Sequence, residues 1–300
     1  MDLSVLDKIE GLYIMIKKLF SPIVAVLECI TKYFKAFVFL LIVALLLLST
    51  REPTQHPNLA RIHLKGAIMD SSMLRTQIED LRNYPSLQGV LLVIDSPGGA
   101  VGASVEMADL IQELASTMPV VVHTESVMAS GAYYAGAYAS RIYANRGALI
   151  GSIGVLFSGA NIKELLRKIG YEPQVIAAGE YKEVGTYYRD WTQKERAYIE
   201  NLIQEEYQTF ITDVAKARNL ELKDSSKFAQ GKVFNAAKAK ELGLIDDVMS
   251  RNQAIDKLKE LAKVEDAIWL QKSSWQSYID TLVESSASKV LSAMLGIGLQ

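Results

Sequence analysis

Residues 89–100 read GVLLVIDSPGGA, and this stretch decides the fold. Five consecutive apolar residues, Val90 to Ile94, with no polar alternation, describe a strand buried on both faces, as in a parallel sheet covered by helices. Pro97, Gly98 and Gly99 then force a turn, and residues 102–115 have helical spacing. Upstream, ARIHLKGAI (60–68) alternates like a strand, and Leu74, Ile78 and Leu81 mark a helix. Downstream come the strand PVVVHTE (119–125), a helix of small residues opening near Ser130, the strand RIYAN, the glycine-rich ALIGSIGVLF, a helix at NIKELLRKIG and a strand at PQVIAA (173–178). Thr192 starts a capping box, T-Q-K-E, for a long helix reaching about Arg218, and GLIDDVM forms a last strand near 249. Repeating β-α-β units predict an α/β fold with a mainly parallel sheet and right-handed crossovers.

Composition narrows the function. The chain has 300 residues with 32 basic and 34 acidic side chains, a net charge of −2 that supplies no field for nucleic acid. Cys29 is the single cysteine, so an intrachain disulfide and a cysteine zinc cage are both excluded.

The first fifty residues read differently from the rest. Residues 36–48, AFVFLLIVALLLL, are uninterruptedly apolar. Extended to Tyr33–Thr50, the stretch would span about 27 Å as a helix, enough for a bilayer core. We expect a leader over 1–35, a transmembrane helix over 36–50, a linker over 51–58, a catalytic domain over 59–250 and a helical tail over 251–300. LLLLSTRE offers no small-x-small site for removal as a signal peptide. Lys17, Lys18, Lys32 and Lys35 precede the span against Arg51, Arg61 and Lys65 after it, which favours an inside N-terminus. The expectation is a single-pass protein of a bacterial-type plasma membrane with an extracytoplasmic domain. Residues 9–31 are apolar in two pieces split by the double lysine and Pro22, which suits an interfacial segment; as a second span they would place the domain in the cytoplasm.

Three sites interrupt the pattern with small residues after strands, where open α/β sheets place ligands. Gly98 and Gly99 let backbone N–H groups face a ligand. Ser130, followed by Gly131 at a helix start, can expose its hydroxyl where the helix favours negative charge. The third is Gly179-Glu180-Tyr181-Lys182. Taken singly, each has an ordinary explanation: turn punctuation, an N-cap and a solvated lysine. The three histidines, His56, His63 and His123, all fit structural positions, so a serine nucleophile here calls for another base, and lysine is one that serine enzymes use.

Five pieces in fixed order resemble one family. IDSPGGAV (94–101), MASGAYYAG (128–136), ALIGSIGV (148–155), GEYKEVG (179–185) and GKVFNAAKAKELGLID (231–246) are similar to the signal peptide peptidase A type of serine peptidase, within the Clp-protease/crotonase superfamily. The resemblance covers about residues 60–250. It implies Ser130 as nucleophile, Lys182 as general base, Gly99 and Gly131 as an oxyanion hole, Gly98 supporting the turn and Ser152 orienting the lysine. It further implies extended apolar peptides such as released signal peptides as substrates, no metal or organic cofactor, and a homo-oligomeric ring in which the serine and lysine come from neighbouring chains. Ala236, where the family often has glycine, and Tyr187, near where proline is common, depart from the pattern outside the dyad. Three alternatives stay open on sequence: a crotonase-type acyl-CoA enzyme, which uses paired N–H groups without the dyad; a stomatin-processing type of membrane protease; and an inactive membrane scaffold.

Overall fold

The computed structural model describes residues 20–22, 30–45 and 56–271. Contacts divide the chain into Met1–Gln55 and His56–Gln300. In the first unit, residues 30–45 are helical (α1). Among the described residues no helix is long and apolar enough to cross a membrane. Residues 46–50 of the expected span and most of the 9–31 segment lie outside the described residues.

The second unit is built on strands β1 (Leu59–Lys65), β2 (Gly89–Ser96), β3 (Val120–Ala129), β4 (Arg141–Ala144), β5 (Leu149–Gly151), β6 (Val233–Asn235) and β7 (Asp247–Val248). The sheet runs β1-β2-β3-β4-β7, all parallel. A branch pairs β5 parallel to β3 and β6 antiparallel to β5.

The apolar run in β2 is explained by its two covered faces. Val90, Leu92 and Ile94 join the larger core, under α2 (Ser72–Leu81), α3 (Val101–Thr117) and α4 (Gly131–Gly136). Leu91 and Val93 point the other way, into a second core closed by Ala254, Leu258 and Ala262 of α9 (Arg251–Ala262). Strand periodicity alternates the faces, and with both in protein neither alternate position can be polar.

The remaining helices are α5 (Lys163–Lys168), α6 (Gln193–Arg218), α7 (Ser225–Phe228) and α8 (Ala236–Glu241). The Thr192 capping box forms as expected: the Glu195 N–H donates to Thr192 Oγ1, and the Thr192 N–H donates to the Glu195 carboxylate. Asn219, in the left-handed conformation, ends α6.

The strand expected at 173–178 does not form. That segment is irregular, with Val175 and Ile176 exposed, because no strand edge of this chain lies along it to pair its backbone. The expected helical tail is helical in α9, but residues 268–270 run along the edge of β1. There the Leu59 N–H donates to Ile268 O and the Leu270 N–H to Leu59 O, and Arg61 stacks over Trp269. This segment occupies an edge that would otherwise offer unpaired backbone groups. Residues 272–300 lie outside the described residues.

Leu258 is fully buried between α9 and the sheet. Leu258→Ala should lower unfolding free energy by about 2–5 kcal/mol. Urea denaturation measures it, and an unchanged midpoint would show that α9 does not close this face.

Candidate active site

The site is organised where β2 and β3 end. Their register is regular from Val90 to Ile94 and then shifts, so that Ser96 stands opposite Met128. The Val127 N–H, displaced from the ladder, donates to Asp95 Oδ1 at 3.2 Å. The irregularity divides β3 into two parts: Val121–Thr124 pair with β4, and Val127–Ala129 pair with β5. Bulges of this kind re-aim a strand end, and here the strand ends on Ser130.

Ser130 has φ 50° and ψ −125°, a sparsely populated conformation for a residue with a Cβ. Two bonds hold it: its N–H donates to Gly151 O at 2.7 Å, and its carbonyl accepts from the Tyr134 N–H at 3.0 Å. Its hydroxyl caps nothing, which sets aside the N-cap explanation for this serine. The strand–turn–helix setting leaves the Oγ available for chemistry.

Against Ser130 packs the turn after β2. Gly98 has φ +90°, and a methyl group there would lie 2.6 Å from Gly131 N and 2.9 Å from Ser130 Cβ. A methyl on Gly99 would lie 1.9 Å from Ile68 O, and one on Gly131 would lie 2.0 Å from Ser104 Oγ and 3.3 Å from Gly99 N. The Gly98 turn and the start of α4 therefore touch backbone to backbone. Ile68 braces the turn: its N–H donates to Gly98 O, and its carbonyl accepts from Ala100. Among the described residues, the N–H groups of Gly99 and Gly131 donate to no protein acceptor. Two unsatisfied donors beside a half-buried, uncapped serine are an arrangement that can stabilise a developing oxyanion.

Sequence reasoning missed the residues that support this contact. Ser96 is fully buried; its Oγ donates to Gly66 O at 2.6 Å and accepts from the Gly98 N–H at 3.2 Å, tying β1 to the turn. Ser104, also buried, donates to Ala100 O and leaves room for Gly131. Helix α4 is anchored by Tyr133, whose hydroxyl donates to Leu244 O, and by Tyr134, which stacks on Phe210 and donates to Asp213. Burial raises both phenols above their ordinary range, and for Tyr134 the Asp213 hydrogen bond adds to it, so they remain donors. Nothing in the local sequence distinguishes these residues from ordinary core positions.

Ser152 follows Gly151, whose carbonyl holds Ser130, and it too has positive φ, 50°. Its N–H donates to Lys232 O at 2.7 Å. Lys182 stands apart. It is exposed in a turn between Gly179 and Gly185, its own N–H donates to Gly179 O, and among the described residues its amine makes no hydrogen bond or ion pair. The structure thus brings together Gly98, Gly99, Ser130 and Gly131, joins Ser152 to them through Gly151, and forms no bond from Lys182 to this group.

The Lys182 turn is fastened to α6 instead. Arg189 donates to Glu183 Oε2 at 3.1 Å and, through two nitrogens, to both oxygens of Glu195 at 2.7 and 2.9 Å. The Arg189 guanidinium and the Thr192 N–H hold the Glu195 carboxyl down to about 2. Glu180 pairs with Lys194, and Tyr181 stacks on Tyr198.

The model of peptidase family S49 matches residues 112–265. A protein designated a protease in Methanocaldococcus jannaschii is 40% identical over 187 residues, covering 62% of this chain and 60% of its own. A protein of Enterococcus faecium designated a signal peptide peptidase is 31% identical over 193 residues, 64% of this chain and 56% of its own. The chloroplastic serine protease SPPA of Arabidopsis thaliana is 33% identical over 200 residues, 66% of this chain and 30% of its own. The chain spans less than two thirds of the length of each of these relatives.

Gly131→Ala should lower thermal stability, because the new methyl would meet Ser104 Oγ. Adding Ser104→Gly removes both clashing Ser104 atoms and should recover part of the stability. No recovery in thermal denaturation of the double variant would show that the Ser104 contact is not what excludes a side chain there.

Proposed function

Because the chain belongs to peptidase family S49, the SppA type of serine peptidase, we propose that it cleaves peptide bonds with Ser130 as nucleophile and Lys182 as general base. The observation that carries this reading is the packing of Gly98-Gly99 against Ser130-Gly131, which sets two undonated N–H groups beside an uncapped serine. In the proposed reaction the neutral lysine amine takes the proton from Ser130 Oγ as the oxygen attacks the scissile carbonyl carbon. The N–H groups of Gly99 and Gly131 receive the oxyanion, with Gly98 shaping the turn. The resulting ammonium protonates the departing amine as the C–N bond breaks. Water, deprotonated by the same lysine, hydrolyses the acyl-serine and restores both groups. Ser152, linked to Ser130 through Gly151, is the proposed orienting partner of the amine.

The dyad is proposed to form between chains. A lysine acts as a base only when neutral, and desolvation is the usual means of making it so. Lys182 is exposed, and its amine has no partner among the described residues. The same region displays Leu156, Ile169, Val175 and Ile176, with Leu156 82% and Ile176 103% exposed. Apolar surface of this kind marks a contact face. A neighbouring copy covering it would bury the amine and could bring the amine to that copy's serine.

Extended apolar peptides, among them released signal peptides, are the proposed substrates; the name of the Enterococcus relative supports this. Residues 36–50 are proposed to anchor the chain in a plasma membrane, with the peptidase on the extracytoplasmic side, on the strength of the unbroken apolar run over 36–48 and the lysine excess ahead of it.

Ser130→Ala and Lys182→Ala should each be inactive while remaining folded. Co-expressed, they should regain measurable cleavage, since some interfaces then contain an intact serine and an intact lysine. Mixed oligomers verified by mass and still inactive would refute a shared site. The wild-type rate should rise from pH 6 toward mildly alkaline pH as the base deprotonates; a flat profile from pH 6 to 9, with chemistry rate-limiting, would exclude a lysine base.

A further inference from the structure

The turn GEYKEVG places two carboxylates, Glu180 and Glu183, within two residues of Lys182. Either could pair with the amine and hold it as an ammonium, which cannot accept a proton. The structure gives both carboxylates to other cations. Glu180 pairs with Lys194 at 2.9 Å, an exposed contact. Glu183 accepts from Arg189 Nε at 3.3 Å and Nη2 at 3.1 Å, with both side chains about a quarter to a third exposed. The same guanidinium grips Glu195, whose side chain is 5% exposed and closes the capping box of α6. One arginine therefore joins the residue beside Lys182 to the first turn of a 26-residue helix.

We propose that Arg189 is a positioning residue for Lys182: by locking Glu183 to Glu195 it fixes the turn that presents the amine and withholds the adjacent carboxylate from it. This rests on the reading of Lys182 as the base. The charged and titratable groups that face the turn are Glu180, Tyr181 and Glu183 within it, Arg189 from the following loop, and Lys194, Glu195 and Tyr198 from α6. Among the described residues each of these carboxylates has a cationic partner, Glu183 and Glu195 sharing Arg189, and the Lys182 amine has none. Arginine suits the role because its planar fork holds two carboxylates at once, which an ammonium cannot do with the same geometry.

Without Arg189, the Glu183 carboxylate becomes an uncompensated anion next to the base, and an anion stabilises the protonated amine. The acid limb of the pH–rate profile should then move to higher pH. Solvent screening limits the displacement to about 0.5–1 unit.

The experiment measures kcat and KM for peptide cleavage from pH 5.5 to 9.5 with the full chain. Arg189→Ala should move the acid limb upward by that amount, lower kcat at pH 7 and leave KM within about twofold, following the displaced limb. Arg189→Ala combined with Glu183→Gln should return the limb to its wild-type position, because the anion adjacent to Lys182 is gone and the cluster regains its wild-type net charge of −1 with Glu195 alone. An unmoved limb in Arg189→Ala, or no return in the double variant, overturns the proposal and leaves Arg189 a structural residue. Should Arg189→Ala fail to fold, Glu183→Gln alone decides. Its limb should move by less than about 0.5 unit, since Arg189 shields the charge it removes, and a shift to lower pH of about 0.5–1 unit overturns the proposal. Lys182→Ala separates the two readings. Activity in that variant refutes the lysine base and this inference with it, whereas an inactive Lys182→Ala beside an unmoved Arg189→Ala limb refutes the role of Arg189 alone.

Discussion

The close approach of two backbones, at Gly98-Gly99 and at Ser130-Gly131, is the constraint on which the candidate site depends. At Gly98, Gly99 and Gly131 an added methyl group would stand 2.6 Å or less from a neighbouring heavy atom. Separations that short are steric overlap, so glycine at 98 lets the turn after β2 lie against the start of α4, while glycine at 99 and 131 makes room for Ile68 and Ser104 on either side. The contact leaves the Gly99 and Gly131 N–H groups without protein acceptors and keeps Ser130 at positive φ. Strain and unpaired donors both cost free energy. They persist because Ile68, Ser96, Ser104 and Gly151 each hold one side of the junction.

The sheet is arranged to deliver that junction. Strand β3 serves two partners in succession, β4 along Val121–Thr124 and β5 along Val127–Ala129, and the register shift opposite β2 separates them. Without the shift, the end of β3 would continue in line with β4, and the Ser130 N–H would not reach Gly151. Burial on both faces makes the strands rigid enough for the displacement to be expressed at the strand end rather than absorbed along its length.

A different regime governs the segment from Gly154 to Trp191. It contributes no strand, exposes several large apolar side chains and carries Lys182 on a turn stapled to α6 by Arg189. The staple is local and ionic where the serine side of the site is built from packed backbone. The two halves of the proposed dyad thus sit on supports of different kinds.

The sequence by itself determined the order of elements from β1 to β4, the parallel α/β class, the α6 cap and the positions of both glycine turns, because these depend on spacing along one segment: an unbroken apolar run, a T-Q-K-E box, glycine after a strand. The same reasoning failed at 173–178, where an apolar stretch without a partner edge is not a strand, and at 268–270, where the chain covers the edge of β1 rather than continuing as a helix. Ser96, Ser104 and Arg189 gave no signal, since their roles lie in what they meet: Gly66, Gly131, and the pair Glu183 and Glu195. Ser130 and Lys182 stood out as residue types and through the resemblance of the surrounding motifs. Tertiary structure alone decided that the glycine turns touch, that the Ser130 hydroxyl caps nothing, and that the Lys182 amine is left unpaired among the described residues. Periodicity and capping are written in neighbouring residues, whereas a contact between backbones 30 or more residues apart arises only once the sheet register and its one irregularity have set which segments meet.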